Sequence, residues 1–348
     1  MAPMARQLTL LWQTRNSGLR EWILQIFSPL VKEEIFDGEH KIVMDNCLVV
    51  DTHLHIADPL YYPRFRGRNA FLIRQPDEHF RDVSGVYVNF CGVFRMHYSG
   101  AFRRERVMPI PLGYLNGLGR KGEPKPASQR KYAWSMLGQI NKSTRPDALN
   151  ALLHVEPGFW YASDGWTPGS AQVASNEMKN QPASTYCELL AESAFCPSPM
   201  GNVQQETNRP FEALEAGSIP LLERRLLMDV HLKLLGNHPI PTFSNWNQAA
   251  SFAQTMWKDK SALDQLQSEC MTWWQRYKAN LTAEAEAFVD RLWMDVPSSG
   301  SQFVRGYARV PGWPLWEVLR HHSVGAMRRR VVRQARKVIE QGRFFERI

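Results

Sequence analysis

Two histidines placed two residues apart are the first side chains in the sequence whose spacing could do chemistry. His53 and His55 follow an apolar run that ends at Asp51. In an extended strand, side chains at positions i and i+2 leave the same face, so both imidazoles could reach one metal ion. The pattern is typical of the first strand of a metal-dependent amidohydrolase. Structural histidines at a strand end, and histidines that touch an acceptor, give the same spacing.

A hydrolase of that kind needs further ligands from later strands of a barrel. His154 with Glu156, and then His231 and His238, are available in the chain. None of them follows a clear strand end. Metal-dependent hydrolysis through His53 and His55 is therefore kept as an alternative function.

Residues 195–223, FCPSPMGNVQQETNRPFEALEAGSIPLLE, predict a strand, a polar loop, a short helix and a second strand. Asn208 is a suitable helix cap, and Pro210 fits close to the first helical position. The free N–H groups of the helix start and the Arg209 guanidinium would attract an anion. Glu212, about one turn later, could accept two vicinal ribose hydroxyls. The segment therefore predicts a site for a nucleoside diphosphate.

This segment resembles the nucleotide-sugar segment of the exostosin-type glycosyltransferases. The residues that carry the resemblance are Tyr186, Glu188–Leu190, Ser193, Phe195–Pro197, Gly201, Arg209–Leu214, Ala216–Gly217 and Ile219–Pro220. A weaker resemblance to exostosin-like xylosyltransferases, including the ribitol xylosyltransferases, is carried by AFLIRQPDEHFRD, VFRMHY, VMPIPLGYLNG and KYAWSMLGQINKSTRPDAL, so that the similarity spans residues 70–280. Two departures are Ser218, where the family often has Cys, and QQET in place of a loop of small residues.

The resemblance implies an α/β protein of GT-B architecture, with two Rossmann-like domains facing a central cleft. It implies inverting transfer of a sugar, with xylose as the candidate, from a UDP-sugar to a hydroxyl of a glycan or lipid-linked oligosaccharide. The second domain would bind the donor, with Arg209 on the diphosphate and Glu212 on the ribose. The other predicted donor-binding residues are Asn208, Gly138, Lys142, Arg145, Pro197 and Gly201.

A metal is not expected in this site. The sequence contains no Asp-x-Asp triplet, the carboxylate pair with which a sugar transferase usually holds a divalent ion on its donor. The helix start and arginine can neutralise the leaving diphosphate instead. We therefore expect no cofactor beyond the nucleotide sugar itself, which is a co-substrate.

Inverting transfer also needs a base within ~3 Å of the acceptor hydroxyl. Glu78 and Asp77 follow the predicted strand AFLIRQ, at the end where open α/β sheets bind ligands. They are the predicted catalytic residues, in competition with Asp51 and the two histidines. The predicted acceptor-binding residues are His53, His55 and Arg95.

Length and composition limit the classes of protein to which the chain can belong. The chain has 348 residues, enough for two cores, and 44% hydrophobic residues, too many for a disordered chain. No apolar run approaches the ~18–20 residues of a membrane span. Five cysteines, without close-pair spacing, argue against a disulfide framework or a zinc knuckle. A reducing, cytoplasmic setting is expected.

The basic charge is concentrated at the C-terminus. Residues 299–348 contain eleven Arg or Lys against three Glu, which accounts for the whole net charge of +8. The predicted helix AMRRRVVRQARKVIEQ has an apolar stripe surrounded by arginines. We expect it to dock across the two domains, with contact to an anionic membrane surface as the alternative. Nucleic acid is not an expected partner, although a basic nucleic-acid-binding protein remains an alternative function.

Three regions are predicted: an acceptor domain over residues 1–125, a nucleotide-sugar domain over 126–300 and a basic helical extension over 301–348. Apolar stretches predict strands in both domains, including GVYVNFCGVF at 85–94. PGFWYASDGWTPGS, at 157–170, predicts a loop. Trp273–Trp274 lies in a stretch of helical spacing, which favours packing over stacking on a sugar.

Overall fold

The strands of the protein form two separate parallel sheets, as the α/β prediction requires. The structure is a computed structural model that describes residues 6–13, 17–51, 61–75, 78, 84–140, 142–162, 183–225, 227–305 and 319. The strands are β1 (Leu8–Trp12), β2 (Val31–Phe36), β3 (Cys47–Asp51), β4 (Ala70–Arg74), β5 (Gly92–Arg95), β6 (Val107–Pro109), β7 (Tyr132–Gly138), β8 (Gly158–Ala162), β9 (Ser193–Ser198), β10 (Ile219–Glu223) and β11 (Thr242–Phe243).

Helices pack on both sheets. The α-helices are α1 (Arg20–Phe27), α2 (Ser84–Tyr87), α3 (Arg145–Leu152), α4 (Ala183–Ala191), α5 (Arg209–Glu215), α6 (Val230–Leu235), α7 (Trp246–Lys258) and α8 (Lys260–Leu292). Short 3-10 turns occupy Ser28–Leu30, Tyr62–Phe65, Ala127–Gln129 and Gly300–Gln302.

The first sheet has the order β2-β1-β3-β4-β5-β6, with every neighbouring pair parallel. Strands β1, β3 and β4 are fully buried along their length, since parallel sheets are covered on both faces. Their sequences are accordingly near-continuous apolar runs. The strand order reverses between β1 and β3, which marks the switch point of this sheet.

The second sheet has the order β11-β10-β9-β7-β8 and is also parallel throughout. Its order reverses between β7 and β9. In open α/β sheets, ligands bind beyond the carboxyl ends of the strands at this point. The loops after β7 and β9 are therefore the first places to look for a site.

One helix joins the two sheets. Helix α8 has 33 residues, about 50 Å of helix, and packs on β10 of the second sheet and on α1 and β5 of the first. The buried Trp274 ring stacks on Phe211 of α5 and on Trp22 of α1, with centroid distances of 5.6 and 5.7 Å. The packing interpretation of Trp273–Trp274 is thus confirmed, because both rings belong to this core.

After α8 the chain returns to the first sheet. Val304 forms an antiparallel bridge with Phe102, and Arg305 N–H donates to Ala101 O at 2.8 Å. The predicted C-terminal helix after residue 320 lies outside the described residues. Within the described part of the chain, no helix combines the length and the apolar character that a membrane span requires.

Two elements differ from the sequence predictions, and a third, β2, was not predicted. The predicted strand at 85–94 is helix α2 followed by β5, which begins only at Gly92. The predicted loop at 157–170 begins with strand β8, paired with β7 over five residues. Strand β2, VKEEIF, has no apolar run because it lies at the sheet edge, where charged side chains face solvent.

Candidate active site

The switch point of the second sheet brings together the end of β7 and the start of α5. Gly138, the last residue of β7, has φ +102°, a conformation that residues with a Cβ rarely adopt. A Cβ at this position would lie 3.3 Å from Nη2 of Arg209. Nη2 of Arg209 also donates a hydrogen bond to Leu137 O. The glycine therefore lets the guanidinium lie directly against the end of the strand.

A second arginine lies beside the first. Arg145 is the first residue of α3, and its Nη1 donates to Gln139 O at 2.7 Å. Burial, and next the charge of Arg209, lower the pKa of Arg145 to about 9. Nη1 of Arg209 and Nε of Arg145 are both shielded from solvent and have no hydrogen-bond partner among the described residues. Two like charges with unused donors form a site suited to an anion.

Glu212 lies one turn along α5 from Arg209 and is 5% exposed. Its Oε2 accepts a hydrogen bond from the Tyr186 hydroxyl at 2.8 Å. Burial raises the pKa of Glu212, against the opposing effects of Tyr186 and Arg209. Burial, reinforced by the Glu212 charge, raises the pKa of Tyr186 well above its usual value. The carboxylate is thus held in one orientation next to the arginine pair.

Asn208 is not the helix cap that the sequence predicts. Its side chain makes no capping hydrogen bond, and its backbone already has helical φ and ψ angles. Its Nδ2 instead donates to Gly113 O of the first domain at 2.9 Å. Helix α5 has only seven residues, so the arginines rather than the helix dipole dominate the electrostatics of the site.

The other predicted donor-side residues lie around the same two loops. Pro197 is within β9, opposite Leu221 of β10. Gly201 N–H donates to Gln204 O at 2.8 Å, closing a tight turn after β9. Lys142 lies in the loop between β7 and α3, half-buried.

Glu78 crosses from the first domain to the second. Its Oε1 accepts the Asn202 N–H at 2.7 Å and the Val203 N–H at 3.3 Å. A Cβ on Gly201 would lie 3.0 Å from the same oxygen, so the glycine admits the carboxylate. We call residues 199–208 the interdomain loop. Val203 of this loop is fully buried in an apolar cluster of the first domain.

Sequence reasoning missed Glu206, which makes the reciprocal contact. Glu206 belongs to the interdomain loop, and its Oε1 accepts the Leu112 N–H at 2.7 Å in the first domain. Its Oε2 accepts the Tyr98 N–H at 3.3 Å. Burial raises the pKa of Glu206 to about 7, although these N–H groups and Arg95 oppose the shift. The only signal was the unusual QQET run, which resembles no motif.

Arg95, predicted to contact the acceptor, is the buried last residue of β5. It is 2% exposed, its Nη1 donates to Met96 O at 2.9 Å, and its guanidinium lies 4.5 Å from the centroid of Phe102. Such a group supports the loop after β5, and its role as an acceptor contact stays a prediction. The other predicted acceptor contacts, His53 and His55, and the predicted base Asp77 lie outside the described residues.

The barrel required for an amidohydrolase is contradicted by the two open parallel sheets. In the part of the chain that the structure describes, no group of three or more His, Cys, Asp or Glu side chains could hold a metal ion. His231 is fully buried, and burial lowers its pKa to about 4. It is therefore a neutral core residue.

The comparisons with known proteins decide the family. A family model described as the RXYLT1 C-terminal domain matches residues 120–293, half of the chain. The chain belongs to this family. The RXYLT1 C-terminal domain family is of the exostosin type, so the predicted resemblance is confirmed and the protein is a glycosyltransferase. No curated protein matches the chain.

The chain is similar to several solved glycosyltransferase structures. An alpha-glucosyltransferase in complex with UDP has a TM-score of 0.52 at 9% identity, over 82% of this chain and 99% of that chain. An alpha1,3-fucosyltransferase gives 0.49 at 12% identity, over 86% and 95%. T4 phage BGT in complex with UDP and Mn2+ gives 0.48 at 10% identity, over 82% and 99%. The match to the alpha-glucosyltransferase confirms the GT-B architecture of this member of the RXYLT1 C-terminal domain family.

Proposed function

We propose that the protein transfers a sugar, with inversion and without a metal ion, from a UDP-sugar to a hydroxyl of a glycan or lipid-linked oligosaccharide. The observation that carries the proposal is the pair Arg145 and Arg209 at the switch point of the second sheet. Both have a buried donor without a partner among the described residues. A bound diphosphate supplies the missing acceptors and offsets the repulsion between the two guanidinium groups.

Glu212 is the proposed ribose contact. An ionised carboxylate has about four lone-pair sites, so an oxygen that accepts the Tyr186 hydroxyl can also accept from a sugar. The Tyr186 bond fixes the direction in which the carboxylate points. The distance of one helical turn between Glu212 and Arg209 matches the step from ribose to diphosphate along a nucleotide.

The transfer itself needs a base opposite the donor. The acceptor oxygen attacks the anomeric carbon as its proton passes to a carboxylate, and the bond from that carbon to the diphosphate oxygen breaks. Negative charge then develops on the leaving UDP, where Arg145 and Arg209 stabilise it. Glu78 is placed on the first domain against the interdomain loop, and we assign the proton transfer to it or to the neighbouring Asp77.

The proposed independence from metal follows from the same pair. Two guanidinium groups can carry out the charge neutralisation that a divalent ion provides in other sugar transferases. The sequence offers no Asp-x-Asp triplet to hold such an ion. Uracil as the base of the donor is favoured by the likeness to a UDP-bound alpha-glucosyltransferase. Xylose as the donor sugar is favoured by the family.

The experiment that tests the proposal is calorimetric titration of UDP into the protein and its Arg209→Ala variant. Loss of a charge-assisted bond of about 1.5–3 kcal/mol should weaken binding by roughly 10–100-fold. Arg276→Ala, an exposed site on α8, is the matched control and should leave the affinity unchanged. UDP affinity that survives Arg209→Ala would contradict the donor site. Titration with GDP in place of UDP tests the preference for the uracil base. Titration of UDP in the presence of EDTA tests the independence from metal. Release of UDP from a panel of UDP-sugars identifies the sugar.

A further inference from the structure

A buried row of charges crosses the carboxyl end of the first sheet. Asp51, Arg74 and Arg95 are the last register positions of β3, β4 and β5, each directly opposite the next. Register neighbours in parallel strands point to the same face, so the three side chains form a ladder. All three are at most 4% exposed, and Asp51 forms an ion pair with Arg74. The ladder therefore contains one carboxylate and two guanidinium groups.

Glu206 brings a second carboxylate to this row from the other domain. It is 1% exposed, and the Arg95 charge acts to stabilise its ionised form. The two N–H groups that it accepts, Tyr98 and Leu112, lie just after β5 and β6. One side chain of the second domain thus holds two strand-end loops of the first.

The backbone beside Glu206 is strained. His97 has φ +61°, although it is not glycine, and its Nδ1 lies 3.9 Å from Glu206 Oε2. The His97 N–H also stabilises the ionised carboxylate of Glu206. A residue other than glycine in this left-handed conformation is strained and persists only where its surroundings fix it. Glu206 is placed to fix it, at the end of the sheet that faces the donor domain.

Burial of a carboxylate at a domain boundary is itself costly. The loss of hydration often exceeds the attraction that a buried ion gains, so a buried carboxylate is weak evidence that stabilisation is its purpose. A role in setting geometry accounts better for a charge kept in this place. Glu78 makes the reciprocal contact, because this side chain of the first domain accepts a backbone N–H of the interdomain loop. Glu78 and Glu206 together therefore set the distance between the interdomain loop and the strand-end loops of the first domain.

We infer that Glu206 is a positioning residue of the transferase. Its carboxylate sets the loops after β5 and β6, with the strained His97 between them, at the spacing from the donor site that sugar transfer needs. It does not touch the nucleotide. Its effect on turnover rests on the proposed function, whereas its effect on the two loops does not.

The test compares Glu206→Ala and Glu206→Gln with the parent protein. Amide hydrogen exchange is measured over residues 96–99 and 110–114, UDP affinity by calorimetry, and kcat and KM from release of UDP from UDP-xylose. Glu206→Ala should raise exchange in both segments and lower kcat by about 10-fold or more, with KM and UDP affinity unchanged. Glu206→Gln keeps one acceptor oxygen and should recover part of the loss. Glu269→Gln, exposed on α8, is the control without effect.

Unchanged exchange in both segments of Glu206→Ala would overturn the inference. So would a loss of UDP affinity equal to the loss of kcat, because the residue would then act on donor binding. If Glu206→Ala does not fold, the isosteric Glu206→Gln decides by the same two measurements. If the parent protein neither binds UDP nor releases it from UDP-xylose, the proposed function is wrong. The exchange measurement would still show whether Glu206 positions the two loops.

Discussion

Helix α5 carries a charged side chain at each end, Arg209 and Glu215, in opposite surroundings. At its last residue, Glu215 accepts from Lys278 Nζ at 2.6 Å, from Trp274 Nε1 at 2.7 Å and from the Arg120 N–H at 3.1 Å. At its first residue, Arg209 has a like charge beside it and one buried donor without a partner among the described residues. The same seven-residue helix is thus satisfied toward α8 and unsatisfied toward the cleft.

The difference separates a structural charge from a functional one. A buried ion pair with every bond made holds two elements in register. Two half-buried cations that repel each other, each with one donor atom lacking a partner among the described residues, lower the stability of the ligand-free protein and gain from an anion. At the Arg209 end, two like charges lie side by side with donors that have no partner among the described residues. Departures of this kind from the usual rules of packing and polar satisfaction are expected at binding sites.

The largest effect is expected at the satisfied end. Lys278→Met leaves the Glu215 charge buried without its cation and should lower the free energy of unfolding by about 3–5 kcal/mol. UDP affinity should stay the same, since the pair lies away from the cleft. Chemical denaturation and calorimetry measure the two quantities. The double variant Lys278→Met with Glu215→Gln should recover much of the stability, and a further loss in the double variant would contradict the pairing.

The pH dependence of stability should differ in sign between two buried groups. His231 has a folded pKa of about 4 against 6.5 in its usual range, so the unfolded chain binds the extra proton between these values. Its contribution is complete above pH 6.5 and is lost as the pH falls toward 4. Asp229, which opposes this shift, and His238, which reinforces it, are the titratable neighbours. This loss amounts to at most about 1.4 kcal/mol of unfolding free energy per pH unit. It should be absent in His231→Gln.

Glu206 acts in the opposite direction. Its folded pKa of about 7 exceeds the usual 4.5, so the folded protein binds the extra proton and loses stability as the pH rises from 4.5 to 7. Glu206→Gln should abolish that decline. Denaturation curves at a series of pH values measure both variants against the parent. For each variant, the difference in unfolding free energy from the parent is plotted against pH. If the two plots have slopes of the same sign, the burial argument for His231 or for Glu206 is wrong.

At the unsatisfied end, substitution should affect binding more than stability. Arg145→Gln removes one of two repelling charges together with a buried donor that has no partner among the described residues. It also removes the bond to Gln139 O, so the free energy of unfolding should change by no more than about 1 kcal/mol. UDP affinity should fall by about 10-fold or more. A loss of stability as large as that of Lys278→Met would remove the contrast between the two ends.

The sequence was enough to place the proposed donor-site residues together, although their role in donor binding stays a prediction. Arg209 and Glu212 stand three residues apart on one helix, so local spacing was enough to pair them. Glu206 could not be found this way, because its partners Leu112 and Tyr98 are backbone groups about one hundred residues distant in the chain. Backbone N–H groups leave no trace in side-chain patterns.

Elements were missed where a residue serves a distant neighbour. Residues 157–170 were predicted as a loop, yet Gly158 opens β8, and a Cβ there would lie 2.5 Å from the Trp134 indole. Gly92 opens β5 because a Cβ would lie 2.7 Å from Phe288 of α8. In both cases the glycine reports close packing across the fold, and the sequence alone cannot distinguish that from a turn.

The smallest and sharpest contrast compares two glycines with nearly the same backbone. Gly138 has φ +102° and Gly122 has φ +107°, but only at Gly138 does an added Cβ meet a neighbour, Nη2 of Arg209. Alanine at either position should lower the free energy of unfolding by about 1–2 kcal/mol through backbone strain. Only Gly138→Ala should also weaken UDP binding, because its methyl group displaces the guanidinium. Equal UDP affinities in the two variants would mean that the position of Arg209 against β7 does not matter for the donor.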